Sequence, residues 1–296
     1  MGKTGFIGLG IMGKPMAKNL IKAGYDLVVY DIVSEAVEEL KKEGAAPANS
    51  IAQVARESDV IVTMLPNSPH VKEVVLGEGG VLENAKAGTI IVDMSSISPI
   101  VSKEIESECA SRGVVLLDAP VSGGEPKAID GTLAIMVGGE EKAFDKVKEM
   151  LLKMGSSAVH VGGIGSGNVT KLANQIIVAL NIAAMSEAMV LATKCGVDPE
   201  RVYDAIRGGL AGSTVLDAKM PMVLNGNFKP GFRIELHIKD LQNALDAAHA
   251  VGSPIPLTAE VMEMMQALKV AGKQKNDHSG LVEYFEGIAG IQVRKQ

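Results

Sequence analysis

Lys3-Thr4-Gly5-Phe6-Ile7-Gly8-Leu9-Gly10-Ile11-Met12-Gly13 is the stretch whose reading decides the fold. A short apolar strand runs into a Gly8-x-Gly10-x-x-Gly13 turn, and residues 12–23 then read as a helix. Backbone N–H groups at a helix start lack intrahelical partners and carry partial positive charge. Glycine lets a diphosphate approach the backbone and lets the helix pack close to the strand. The backbone of Gly8, Leu9, Gly10, Ile11, Met12 and Gly13 is therefore expected to hold the pyrophosphate of a dinucleotide.

The next stretch, Asp26-Leu27-Val28-Val29-Tyr30, reads as a second strand closed by Asp31, eighteen residues after Gly13. An acid at about that distance accepts hydrogen bonds from the adenosine ribose hydroxyls. A 2′-phosphate there meets a like charge, a repulsion of ~1 kcal/mol in water and ~4 kcal/mol in a partly buried site. Ile32, Val33 and Ser34 supply no cation to offset it. The expectation is a preference for NAD(H), with NADP(H) still possible.

Working outward, 296 residues with 47% hydrophobic content are enough for a large core and two domains. A net charge of −6, scattered basic residues and few aromatics argue against a nucleic-acid partner. Cys109 and Cys195 are far apart, outside any metal or redox spacing, and read as inert thiols of a reducing cytoplasm. His70, His160, His237, His249 and His278 stand alone, so no catalytic metal is expected. The N-terminal apolar run is short and glycine-rich, unlike a signal peptide. The longest apolar run, residues 176–184, is broken by Asn181. No membrane span is therefore expected by the ~20-residue criterion.

Through residue 163, short apolar strands alternate with amphipathic helices. That pattern predicts a Rossmann-type, doubly wound parallel sheet covered on both faces. Gly162-Gly163-Ile164-Gly165-Ser166-Gly167 marks the boundary, and 168–195 reads as one long helix closed by Gly196 and Pro199. Further helices are read at 199–207, 238–251, 258–271 and 279–288, with no strand. The division expected is 1–163, an NAD-binding domain, and 164–296, an all-α domain joined by the long helix.

Ligands of open α/β sheets bind beyond the C-terminal strand ends. Three such ends carry Leu65-Pro66-Asn67-Ser68, Asp93-Met94-Ser95-Ser96 and Asp118-Ala119-Pro120-Val121-Ser122-Gly123-Gly124. Each alone is ordinary turn chemistry. Together they make Leu65, Pro66 and Asn67 a cofactor wall, Ser96 a bond near the nicotinamide, and Ser122-Gly123-Gly124 a carboxylate nest. Lys171 and Asn174, with Asn181 seven residues on, share one face of a mostly apolar helix and need polar partners or a wet cleft. A carbonyl accepting hydride develops negative charge on oxygen, and Lys171 can meet it as general acid. Asn174 can orient the ammonium or bind a substrate hydroxyl. Lys239 in His237-Ile238-Lys239-Asp240 can reach the cofactor or substrate, or merely form an ion pair at a helix start; Phe232 can close the cleft. Met16, Met262, Met264 and Met265 read as core filling.

These residues resemble the β-hydroxyacid dehydrogenases along essentially the whole chain. The resemblance rests on 8–17 (Gly-Leu-Gly-Ile-Met-Gly-Lys-Pro-Met-Ala), on 118–124, on 165–174 and on Lys239-Asp240. It implies a Rossmann domain followed by an all-helical domain that carries much of a homodimer or homotetramer interface. It also implies Lys171 as the catalytic lysine, Ser122, Gly123 and Gly124 on the substrate carboxylate, Asn174 in the active site and Lys239 at the cofactor. The substrate implied is a small semialdehyde carboxylate or hydroxyacid. Residues 124–131, 173–175 and 207–213 are similar to the branch that reduces tartronate semialdehyde (2-hydroxy-3-oxopropanoate) to D-glycerate. The alternative is oxidation of 3-hydroxyisobutyrate, whose enzymes usually carry Asn-Asn where this chain has Asn174-Gln175. A non-catalytic nucleotide-bound interaction module is the third reading, and Lys171 with Asn174 argues against it. Many reductases of this group carry arginine where this chain has Ile32.

Overall fold

A computed structural model describes residues 2–295. Contacts divide the described chain into a first unit ending at Lys171 and a second beginning at Leu172, within one continuous helix.

The first unit begins with β1 (Thr4–Ile7), α1 (Gly13–Lys22), β2 (Leu27–Tyr30), α2 (Ser34–Lys42), β3 (Ala46–Pro47), α3 (Ile51–Glu57) and β4 (Val60–Thr63). It continues through α4 (Ser68–Leu76), α5 (Val81–Asn84), β5 (Ile90–Asp93), α6 (Pro99–Ser111) and β6 (Val115–Asp118). The strands lie in the order β3-β2-β1-β4-β5-β6, all parallel. Side chains alternate across a pleated strand, and two cores follow from that. Phe6, Val62, Val92 and Leu117 pack on one face, and Ile7, Ile61, Ile91 and Leu116 on the other. Met16 fills the first of these cores. In-register pairing aligns Ile7, Tyr30, Thr63, Asp93 and Asp118, so five strands end along one edge.

The far side of the sheet departs from the parallel pattern. After β7 (Val121–Ser122) and α7 (Gly124–Asp130), β8 (Leu133–Gly138) runs antiparallel to β6 and β7. Then α8 (Glu141–Leu151) leads to β9 (Gly155–Gly162), parallel to β8. Apolar composition marks a buried strand without giving its direction, so the reversal was invisible in the sequence. The helices α4, α5 and α7 were also unassigned there. In α4 and α7 a proline sits in the first turn, where it is tolerated but reads as loop. Cys109 is buried, and desolvation pushes its thiol up to about 12, which makes it inert; Cys195 is exposed.

Helix α9 (Ser166–Lys194) has 29 residues, and by length and composition alone it is apolar enough to cross a bilayer. This corrects the expectation that no segment is; one asparagine, Asn181, does not make the run polar. In the second unit Ala179, Ile182, Met185 and Met189 of this helix are core residues.

The second unit continues with α10 (Pro199–Ile206), α11 (Thr214–Leu224), α12 (Ile234–Ala250), α13 (Pro256–Val270), a 3₁₀ turn (His278–Leu281) and α14 (Val282–Ala289). Helix α11 contains Pro221, which hid it from the sequence reading. Its N-cap is Ser213, whose hydroxyl accepts the Leu216 N–H at 3.0 Å. Met262 and Met265 lie in the core. Asp277 is wholly buried and anchors the segment entering α12. It accepts Lys219 Nζ at 3.0 and 3.1 Å and the N–H groups of Gly231, Phe232 and Ser279. Burial alone raises its pKa, but the charges of His278 and Lys219 and these N–H bonds hold it at about 2.

Candidate active site

In the first unit the three glycines of the turn serve different purposes. A Cβ on Gly8 would strike the Met64 carbonyl, and one on Gly13 would strike the Gly8 carbonyl. These two set the close approach of strands and helix. A Cβ on Gly10 would meet nothing within 4 Å, so Gly10 leaves the outer side of the turn open. No side chain caps α1; the Lys14 N–H turns back to the Gly10 carbonyl at 3.0 Å and Pro15 has no N–H, so the helix start offers a ligand its positive end and the N–H groups of the turn before Lys14. Asp31 stands beside the turn: one oxygen accepts the Leu9 N–H at 2.5 Å and the other the Val33 N–H at 2.8 Å. Each carboxylate oxygen has a second lone pair for a hydroxyl. Leu9, Gly10, Ile11 and Asp31 line one cleft of about 620 Å³ with Lys14 and Glu125. A turn open at Gly10, an uncapped helix start and an adjacent acid fit a dinucleotide.

Of the three lysines that line this cleft, Lys14 and Lys18 are ion-paired. Lys14 contacts Glu39 at 2.9 Å, and Lys18 contacts Glu39 at 2.8 Å and Glu43 at 2.6 Å. Lys18 and then Lys14 hold the Glu39 carboxyl at about 2.

The neighbouring strand ends are tied together. Thr63 Oγ1 donates to Asp93 at 2.8 Å, the Ser95 N–H donates to the same carboxylate at 3.2 Å, and the Ser95 hydroxyl accepts the Leu65 N–H at 2.8 Å. Ser95 thus fixes the Leu65-Pro66 segment, while Ser96 beside it is half-buried. Asn67 caps α4, its side-chain oxygen accepting the Ser68 N–H at 2.8 Å. Ser122 is half-buried at the end of β7, and Gly123 and Gly124 both have positive φ at the start of α7.

Lys171 lies in the second turn of α9 and is only 7% exposed. The first turn is pinned. The buried Asp118 carboxylate accepts the Gly165 N–H at 2.8 Å and the Asn168 N–H at 2.7 Å. Asn168 is itself buried, accepting the Ile97 N–H at 3.0 Å and donating to Ser102 at 3.2 Å. Desolvation lifts Asp118 to about 6, aided by Asp93 and opposed by the two N–H bonds. The sequence reading gave Asp118 and Asn168 no roles of their own. Their signal was a carboxylate at a strand end and an amide in the first turn of an apolar helix.

In the second unit Asn174 and Lys239 meet through Gln175 and Asp240, two residues to which the sequence reading gave no role. Asn174 Nδ2 donates to Gln175 Oε1 at 2.9 Å, and Gln175 Nε2 donates to Asp240 Oδ2 at 2.6 Å. Lys239 Nζ lies 3.1 Å from Asp240 Oδ1. His237 is buried; its Nε2 bonds the Gln175 carbonyl at 3.1 Å and its Nδ1 lies 3.0 Å from His278 Nδ1. Phe232 packs edge-on against both rings, at 5.7 and 5.3 Å between centroids. Among the described residues no group of three or more His, Cys, Asp or Glu is arranged to hold a metal.

Residues 3–163 match the family of the NAD binding domain of 6-phosphogluconate dehydrogenase, and residues 165–285 the NAD-binding family of NADP-dependent 3-hydroxyisobutyrate dehydrogenase. The chain is 46% identical to 2-hydroxy-3-oxopropionate reductase of Escherichia coli, over 98% of this chain and 99% of that protein. It is 39% identical to 2-(hydroxymethyl)glutarate dehydrogenase of Eubacterium barkeri, over 98% and 97%. A solved structure of Mycobacterium tuberculosis 3-hydroxyisobutyrate dehydrogenase with L-serine superposes with a TM-score of 0.89 at 33% identity, covering 96% of this chain and 99% of that one.

Proposed function

We propose that this chain, which belongs to the β-hydroxyacid dehydrogenase family of NAD(P)-dependent oxidoreductases, reduces tartronate semialdehyde to D-glycerate. The observation that carries the reaction is the buried Lys171 on a helix whose first turn is locked by Asp118 and Asn168. The 46% identity to the Escherichia coli reductase supports the substrate. When bound, the dinucleotide supplies a hydride. Gly8 to Gly13 hold its diphosphate, Asp31 the ribose, and Leu65, Pro66, Ser96 and Lys239 contribute to its binding. The backbone at Ser122, Gly123 and Gly124 takes the substrate carboxylate. The aldehyde oxygen gains negative charge as its carbon takes the hydride, and the Lys171 ammonium gives that oxygen a proton. A positioned acid of this kind contributes about 10²–10⁴-fold.

NADH is the preferred donor in this reading. A 2′-phosphate would face Asp31, and two of the three lysines lining the cleft, Lys14 and Lys18, are ion-paired with Glu39 and Glu43. A homodimer or homotetramer formed through the helical unit is supported by the exposed Ile177 and Leu191 of α9.

Replacing Lys171 with Ala lowers kcat at least about a hundredfold while NADH still binds; retained turnover removes the lysine from the mechanism. Steady-state kcat/KM with tartronate semialdehyde, set against methylmalonate semialdehyde and 3-hydroxyisobutyrate, tests the substrate. A preference for the methyl-bearing compounds overturns it. Selection by a paired hydroxyl reaches several orders of magnitude.

A further inference from the structure

We propose that Asp240, acting through Gln175, fixes the Asn174 amide so that its oxygen faces away from Gln175 as a hydrogen-bond acceptor. The inference rests on the reading above that Asn174 belongs to the active site. An asparagine amide can turn over and exchange its donor end for its acceptor end, and a site that relies on one of them needs something to choose.

The choice here starts at a carboxylate. Asp240 is 1% exposed and ion-paired with Lys239 at 3.1 Å. An ionised carboxylate only accepts. At 2.6 Å from Asp240 Oδ2, Gln175 must therefore present its NH₂ group; turned over, it would press a carbonyl against a carboxylate. Gln175 Oε1 is thereby directed at Asn174, 2.9 Å away. Asn174 must answer with its own NH₂, which leaves Oδ1 on the opposite side of the amide. The order of polarity thus runs from a fixed charge through two amides.

Gln175 is also held from its backbone. Its carbonyl only accepts, so His237 Nε2 donates to it at 3.1 Å. His237 Nδ1 in turn faces His278 Nδ1 at 3.0 Å, which holds the ring in place. Lys239, His237, His278 and, through His278, Asp277 are titratable groups tied to this pair, besides Asp240 itself.

The consequence concerns substrate recognition. A position that presents an acceptor pairs with a hydroxyl or with the Lys171 ammonium, and it repels a carboxylate. The carboxylate of the substrate must then be bound elsewhere, and the group that meets Asn174 must carry a proton. Asp240 and Gln175 are positioning residues in this scheme; only Asn174 touches the reacting partners.

Two substitutions test the order of polarity. Gln175→Met keeps the length and removes both bonds. Gln175→Glu keeps an acceptor toward Asn174 but sets a carboxylate against Asp240, so its pKa rises above the ordinary value. Once protonated, the introduced carboxyl donates to Asp240 and accepts from Asn174, the polarity of the native amide. Q175M is expected to lose about tenfold or more in kcat/KM, with the NADH Kd changed less than about threefold. Q175E should match Q175M at pH 8 and exceed it by about fivefold or more at pH 6. His237 and His278 are the same in both variants, so their contribution cancels in that comparison. In the free protein, the Tm of Q175E relative to Q175M should rise by about 2 °C or more over the same interval. Q175M matching wild type, or Q175E tracking Q175M in Tm at both pH values, overturns the proposal. If wild type reduces no small semialdehyde, the functional reading falls, and the Tm comparison still decides the order of polarity.

Discussion

Asp118 offers a test in which the sign as well as the size is set by the structure. Its carboxylate is wholly buried at the end of β6 and accepts two N–H groups from the start of α9. Burial, reinforced by Asp93, lifts its pKa from 3.8 to about 6. At 1.36 kcal/mol per pH unit, that displacement corresponds to about 3 kcal/mol. An acid with a raised pKa holds its proton in the folded state after the unfolded chain has released it. Its contribution to stability is therefore complete below 3.8 and is lost as pH rises through 6.

Asp118→Asn removes the titration and keeps the shape. The introduced amide accepts one of the two N–H groups and turns its NH₂ against the other, a roughly pH-independent cost of about 1–3 kcal/mol. Urea unfolding of wild type and variant at pH 5, 6 and 7.5 separates the two effects. Between pH 5 and 7.5 the advantage of wild type over D118N should shrink by about 1.4 kcal/mol, from the same two pKa values. An advantage that stays flat or grows with pH refutes the reasoning, because Asp118 would then be ionised throughout and its burial outweighed by the N–H bonds.

Gly167→Ala places a methyl group against the backbone carbonyls of Asp118 and Met136, which cannot swing aside. It should cost about 2 kcal/mol or more in chemical denaturation, whereas Gly163→Ala, with nothing within 4 Å, should cost little. Ile32→Arg adds a cation at a residue 91% exposed and next to Asp31. It should raise the NADPH/NADH ratio of kcat/KM about tenfold, as one added charge pair permits; an unchanged ratio removes Asp31 and its neighbour as the cofactor selector.

The sequence disclosed those parts of the molecule whose physics is local. Gly8-x-Gly10-x-x-Gly13 between an apolar strand and a helix is a local pattern, and β1, α1 and the turn stand where it put them. The continuous apolar strands likewise announce a sheet covered on both faces, and Phe6 and Ile7 sort to opposite cores accordingly. What stayed hidden is what depends on distant partners. Strand composition is the same in either direction, so the antiparallel β8 looked like its neighbours. Ser95 and Ser96 are indistinguishable by type; only the Leu65 N–H, thirty residues away in the chain, makes the first of them structural. Gln175 and Asp240 are 65 residues apart, and no spacing rule links them. The polar face of α9 nevertheless held the clue. A buried lysine, an asparagine and a glutamine within five residues of an apolar helix each demand a partner. One partner is a carboxylate, and because a carboxylate cannot donate, it settles the orientation of every amide between itself and Asn174.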